Sequence, residues 1–162
     1  MITSYVVVTD TGTFQTAAIT IAGWAFLDVD DNQALISKPV RDPSSVHANA
    51  WQVEVQPPDE VCVTGPRKDC FSAGITTNQW FHFAGTWDGQ DKRLFVDGVE
   101  IGAVQSTIQV DDVDLVLGAD YRMTAEGDID TVVIPLTGAL DDIRIYDRVL
   151  TPSEISELAT RP

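Results

Sequence analysis

At 162 residues, 44% of them apolar, the chain is long enough to bury a core of its own and too apolar for a disordered polymer. Ten Lys and Arg against 25 Asp and Glu leave a net charge of −15. Such a surface repels phosphate backbones and anionic lipids, which argues against nucleic acid and membrane insertion as partners. No apolar run approaches the about 20 residues that span a bilayer. Residues 1–5 (MITSY) lack the basic and apolar stretches of a secretion signal, as expected where a signal was removed or a module was cut from a longer protein.

Taken in chain order, the sequence predicts many short strands separated by turn signals. Residues 5–9 (YVVVT) form a β-branched run, and residues 18–27 (AITIAGWAFL) are apolar on both faces, as in a strand held between two layers. A short strand at 34–37 leads into residues 38–49 (KPVRDPSSVHAN), where two Pro and two Ser predict a loop. In residues 51–56, Trp51, Val53 and Val55 alternate with Gln52, Glu54 and Gln56, and Pro57 and Pro58 end the strand. Residues 61–63 and 71–73 flank a turn, and a hairpin there would bring Cys62 and Cys70 within bridging reach; the alternative is two buried thiols. A disulfide would imply an oxidising compartment.

Residues 80–102 (WFHFAGTWDGQDKRLFVDGVEIG) carry the strongest local signal. Asp88-Gly89 and Asp97-Gly98 separate apolar runs, and Asp-Gly favours the tight hairpin turn because Gly takes positive φ without steric cost. Residues 115–118 (LVLG) read as a strand, residues 119–130 (ADYRMTAEGDID) as a polar loop, and residues 139–146 (ALDDIRIY) as the last strand. Thr151-Pro152-Ser153-Glu154 is a capping box with Pro at the first helical position, and Ile155 and Leu158 supply a buried face for one short helix. The fold class is therefore all-β, an antiparallel sandwich or barrel with one C-terminal helix.

The pattern W-x-H-x-A-x-T-W-D-G at 80–89, followed by R-L-F-V-D-G at 93–98, resembles the laminin G-like, concanavalin A-like jelly-roll modules, which include pentraxins and bacterial carbohydrate-binding domains. The resemblance extends to ITIAGWAFL at 19–27, ALISK at 34–38, LVLGAD at 115–120 and GALDDIRIYDRVL at 138–150. It implies one laminin G-like domain over residues 1–162, a two-sheet antiparallel jelly-roll β-sandwich. The family's usual opening strand, which lies beside the last strand, is expected to be missing or truncated here. Residues 140–146 are therefore expected to form an open edge through which copies could pair as a homo-oligomer.

Several candidate sites follow. The acid-rich segments at 28–31, 111–114, 128–130 and 141–142 suit a hard cation such as calcium. The run DVDDN at 28–32 lacks the glycine and distal glutamate of a helix–loop–helix calcium loop and is set aside. Comparison with pentraxins points to Asp42 and Asp120 as acidic loop positions, but Pro43 and Arg122 replace further ligands, so the paired calcium site of those lectins is not expected intact. Asp120 and Asp141 are the metal-ligand candidates, for a structural Ca2+.

Glu126-Gly127-Asp128-Ile129-Asp130 matches the E-x-D-x-E of jelly-roll glucanases only loosely, because its glycine and flanks favour a loop over a central strand. His82 is read as a structural strand residue and His47 as a loop residue near ligand. Trp24, Trp80 and Trp51 are read as core, and Trp87 as half exposed. Tyr121 and Arg122, with Asp42 and His47, are the ligand-binding candidates. The expected function is non-catalytic recognition of a glycan or cell-surface polymer outside the cell. A structural or adhesive subunit that assembles by edge pairing is the alternative.

Overall fold

The structure, a computed structural model, describes residues 4–41, 48–124 and 129–160. Its strands are β1 (Val6–Val8), β2 (Ile19–Leu27), β3 (Gln33–Pro39), β4 (Asn49–Gln56), β5 (Glu60–Thr64), β6 (Lys68–Ser72), β7 (Trp80–Trp87), β8 (Asp91–Val96), β9 (Val99–Gln105), β10 (Leu115–Leu117), β11 (Asp120–Met123), β12 (Ile129–Val133) and β13 (Gly138–Tyr146). One helix, α1 (Pro152–Leu158), follows. Two antiparallel sheets face each other, one in the order β1-β10-β3-β4-β5-β6 and the other β13-β2-β7-β8-β9. This is the jelly-roll sandwich the sequence predicts. A third, two-stranded ribbon, β11–β12, adds to it.

Period-2 alternation decides what lies between the sheets. Trp51, Val53 and Val55 of β4 and Val61 and Val63 of β5 point inward from one sheet; Ile19, Ile21, Phe81, Phe83, Trp87 and Leu94 answer from the other. The rings of Trp51 and Trp87 meet across the core with centroids 6.2 Å apart. Trp87 is thus fully buried rather than half exposed, because it shares the inward parity of Phe81 and Phe83.

Trp24 and Trp80 differ from expectation in the other direction. Trp24 pairs in register with His82, and Phe26 with Trp80, so all four side chains stand on the outer face of the five-stranded sheet. Trp80 remains 38% exposed. Only part of that face is covered: Ile155 of α1 packs on Ala22, Ala84, Phe95 and Leu150. The helix begins as predicted, with Thr151 and Glu154 forming a reciprocal capping box.

Two glycines hold positions that a side chain would not fit or would strain. At the β8–β9 turn, Asp97 and Gly98 have φ of 48° and 79°, the pair of positive values a type I′ turn requires. Gly102 lies under the ring of Phe71, where a Cβ would come within 2.2 Å of a ring carbon.

Two lysines are buried at the sandwich margins and are fully partnered. Lys38 Nζ pairs with Asp10 at 3.1 Å and donates to the backbone carbonyls of Asp111 and Val113. Lys92 Nζ pairs with Asp69 at 2.9 Å and donates to the carbonyls of Val63 and Arg67. Burial pushes the Lys92 ammonium down, and the Asp69 carboxylate opposes it. Each lysine fastens a connecting segment to the core, which satisfies backbone carbonyls that would otherwise be stranded there.

Residues 119–130 do not form a simple loop. Asp120–Met123 and Ile129–Val133 pair antiparallel, and Tyr121 and Met123 pack with Val113 and Val116 on the outer face of the six-stranded sheet. The alternation Asp120, Tyr121, Arg122, Met123 is a strand pattern hidden in polar company.

Candidate functional site: the polar outer face of the six-stranded sheet

The register across β3, β4, β5 and β6 lines up Ser37, Gln52, Thr64 and Lys68 in one row, with Glu54, Cys62 and Cys70 in the next. These residues alternate with the inward set Trp51, Val53, Val61 and Val63, so they stand on the outer face. Cys62 and Cys70 oppose each other directly, with Cα atoms 4.0 Å apart, and are bridged by a disulfide. The bridge staples β5 to β6 beneath the face. Glu60 lies near both sulfurs, but bonded sulfurs supply no thiolate for a metal.

Polar side chains on an outer strand face are normally wet. Here Asn49, Gln52 and Thr64 are 3%, 2% and 8% exposed. Asn49 Nδ2 donates to Asp120 Oδ2 at 3.1 Å and to Gln52 Oε1 at 3.3 Å. Among the described residues, Asn49 Oδ1, Gln52 Nε2 and Thr64 Oγ1 have no hydrogen-bond partner. Buried polar groups left unmet are costly, so a cluster of them on one face is a departure that calls for a ligand or water.

Glu54 is also buried, and it forms an ion pair with the half-exposed Lys68. Burial pushes the Glu54 carboxyl up, the Lys68 ammonium pulls it back, and the Asp120 carboxylate adds a smaller upward push. The face therefore combines a donor, an acceptor, a hydroxyl, an ion pair and a second carboxylate. Sequence reading passed over these residues in favour of loops, although the Gln52, Glu54, Gln56 alternation opposite Trp51 was the visible signal.

The predicted site residues fall in different places. Asp120 lies in this cluster, its Oδ1 accepting the Tyr121 N–H at 2.8 Å. Arg122 is exposed on β11. Tyr121 is buried against Val116, its ring edge-on to Tyr5 with centroids 6.2 Å apart, so it is part of the packing that seats the ribbon and not an open platform. Asp42 and His47 lie outside the described residues, as do Glu126 and Asp128 of the loose glucanase match.

Asp141, on β13, is set in register with Trp24 beside a cleft of about 530 Å³ that Asp142, Arg144 and Glu157 also line. Arg144 and Asp142 meet there in a two-pronged pair at 2.9 and 2.8 Å. Asp120 and Asp141 thus belong to different sheets and are not brought together. Calcium takes six to eight oxygen ligands. Among the described residues, the one group of three His, Cys, Asp or Glu donors within mutual reach is Glu60 with the bridged cysteines.

His82 sits on the helix-side face, with its ring 5.4 Å from that of Trp24. Burial drives its pKa down to about 4, against the pull of the Asp97 and Asp142 carboxylates. It is a neutral structural histidine, and its backbone N–H is held by Asp97 Oδ1 at 2.8 Å.

This chain belongs to the concanavalin A-like lectin/glucanases superfamily: the laminin G-type family profile of that superfamily matches residues 2–156. Among solved structures it is similar to the CBM40 module of a Ruminococcus gnavus IT-sialidase, with a TM-score of 0.77, 15% identity, and coverage of 99% of this chain and 95% of that one. It is also similar to a native heptameric SAP-like pentraxin from Limulus polyphemus, with a TM-score of 0.69, 15% identity, and coverage of 96% and 81%. A Bacteroides ovatus protein matches with a TM-score of 0.69 and 19% identity over 94% of this chain, which spans only 44% of that protein's length. At these identities the likeness is one of fold. No curated protein matches the chain.

Proposed function

We propose that this chain is a non-catalytic, extracellular binding module that takes a glycan or surface polymer on the outer face of its six-stranded sheet. The observation that carries this reading is the trio of unmet polar atoms, Asn49 Oδ1, Gln52 Nε2 and Thr64 Oγ1, on a rigid, disulfide-stapled face. Hydroxyl groups of a sugar both donate and accept, which is the chemistry these atoms lack, and they reach the atoms only where the cover over this face opens. Two observations lend support: one fold relative is a CBM40 module described bound to α2,3-sialyllactose, and the disulfide fits an oxidising compartment. No described helix is long and apolar enough to cross a membrane. The test is a glycan array probed with the intact chain and with Gln52→Ala and Thr64→Val. Saturable binding that both substitutions weaken supports the reading; binding indifferent to both overturns this location. The calcium that the resemblance implies is a separate proposal at Asp120 or Asp141, tested by melting in Ca2+ and in EDTA.

A second reading, assembly through an open edge, is favoured by one observation. β13 has β2 as its only ladder partner among the described residues, and on the same flank Val6 and Val7 of β1 and the preceding Tyr5 are exposed. Between them runs a groove of about 380 Å³ lined by Leu117, Leu136, Leu140 and Ile143. Light-scattering mass decides it: a concentration-dependent oligomer supports pairing, and a monomer throughout removes it.

A further inference from the structure

We infer that the β11–β12 ribbon is a hinged flap, swinging on Gly118 and Ile134 to open and close the polar face where Asn49 and Gln52 stand. The inference deepens the reading that this face takes a ligand, but it concerns the cover, and its test needs no ligand.

Gly118 and Ala119 lead into β11, and Ile134 directly follows β12. Both pivots lie in the left-handed region, with φ of 77° and 41°. Glycine enters that region freely, whereas a β-branched residue enters it only under strain. Pro135 adds to the strain by pushing Ile134 toward extended backbone. Such strain persists only where the surroundings enforce it, and it gathers at switch regions. Here the surroundings are fixed. Gly118 N–H donates to the Leu35 carbonyl at 2.9 Å, Leu136 N–H to the Gly118 carbonyl at 2.8 Å, and Ala34 N–H to the Ile134 carbonyl at 2.8 Å. Gly118 and Ile134 are thus both moored to β3, and the ribbon hangs between them. Hinges take this form: a few residues at the ends of elements that absorb the change in backbone angle.

The ribbon itself is separable from the sandwich. It is a two-stranded sheet of its own, ladder-paired with neither main sheet among the described residues. A lone pair of strands is marginal in water without packing. Its contacts with the sandwich include Asn49 Nδ2 donating to Asp120 Oδ2 at 3.1 Å, Ser37 Oγ donating to the Ala119 carbonyl at 2.8 Å, and the Tyr121 and Met123 side chains on Val113 and Val116. One contact opposes closure: the Asp120 carboxylate stands within electrostatic reach of the buried Glu54 carboxyl. Lifting Asp120 relieves that repulsion and frees Asn49 Nδ2. It also opens a way to Asn49 Oδ1 and Gln52 Nε2, which are shut off from solvent while the ribbon is down. A ligand of this face would then bind the open form alone, and the closed fraction would lower its apparent affinity.

The experiment is native-state hydrogen exchange of the intact chain in low urea. Amides of residues 120–123 should exchange at least about a hundredfold faster than those of Val53 and Phe83, at a rate that low urea leaves flat, the mark of local opening. Ile134→Gly removes a strain present only while the ribbon is down, so it should slow that exchange several-fold. Asn49→Ala, which cuts the bond to Asp120, should speed it. The second measurement asks what the opening uncovers. In Gln52→Cys, iodoacetamide should alkylate the new thiol without denaturant, and more slowly once Ile134→Gly is added; the bridged Cys62 and Cys70 carry no thiol to react. Ribbon amides that exchange only with the core, sharing its urea dependence, overturn the flap. An exchange rate unmoved by Ile134→Gly overturns the pivot. A thiol at position 52 that stays unreactive while the ribbon opens overturns the gate, since something else then covers the face. Because no ligand enters, a blank glycan array leaves these results untouched and removes only the proposed function.

Discussion

Asn49 Nδ2 donates a hydrogen bond to Asp120 Oδ2 at 3.1 Å, joining the head of β4 to the base of the β11–β12 ribbon across 71 positions of sequence. Both groups are buried, so the bond forms away from competing water. Asp120→Ala should cost about 1–3 kcal/mol, the usual range for losing a buried hydrogen bond to a charged group. It should also loosen the ribbon. Urea denaturation checks the first effect, and hydrogen exchange at Tyr121 and Met123 checks the second; unchanged protection there would show that packing alone seats the ribbon.

The Cys62–Cys70 bridge closes a short loop, with a sequence separation of 8. In the chain-entropy account a loop of this size is worth about 2–3 kcal/mol. Reduction, or a Cys62→Ser/Cys70→Ser double substitution, should lower the urea midpoint accordingly while leaving the slope nearly unchanged. The β5–β6 hairpin, at the edge of its sheet, should lose exchange protection first.

Acid should destabilise the fold through His82. Its pKa is about 4 when folded against 6.5 for a free imidazole, so between those limits the unfolded chain binds the extra proton. Stability from this group is fully present above about pH 6.5 and is lost as pH falls toward 4, by up to about 3 kcal/mol. Melts between pH 7 and 4.5 should show a drop that His82→Phe reduces. Equal acid sensitivity in the variant would assign the loss to other groups.

Lys38 and Asp10 form a pair whose side chains are both inaccessible to solvent. Although burial pushes the Asp10 carboxyl up, the Lys38 ammonium and the Gly12 and Phe14 N–H groups hold it below its usual range. Asp10→Ala, which leaves the buried ammonium with two carbonyls and the more distant Asp111 carboxylate at 3.9 Å, should cost up to about 3–5 kcal/mol. Lys38→Met with Asp10→Leu should cost much less than the sum of the single changes, since no buried charge remains. A double-mutant cycle by chemical denaturation measures the difference.

How much of this was legible beforehand depends on the kind of signal each residue carries. The Asp97-Gly98 turn and the Thr151–Glu154 capping box were readable because their geometry is local: positive φ and helix-end hydrogen bonds need only neighbours in sequence. The bridging of Cys62 and Cys70 followed from one hairpin. Trp24 and Trp87 were misplaced because both stand in strands that are apolar on both faces, where alternation says which residues share a side but not which side is the core. Tyr121 was taken for a rim residue because four neighbouring polar residues masked a two-residue alternation.

The sequence by itself determined the class of fold, the hairpins, the helix start and the acidic surface, all properties of short windows or of composition. Only the tertiary structure decided that Asn49, Gln52, Thr64 and Asp120, drawn from three strands, share one desolvated polar face. Hydrophobic patterning specifies strands, but pairing register and sheet stacking decide which outer faces are covered, and a buried, unmet polar atom exists only once they are.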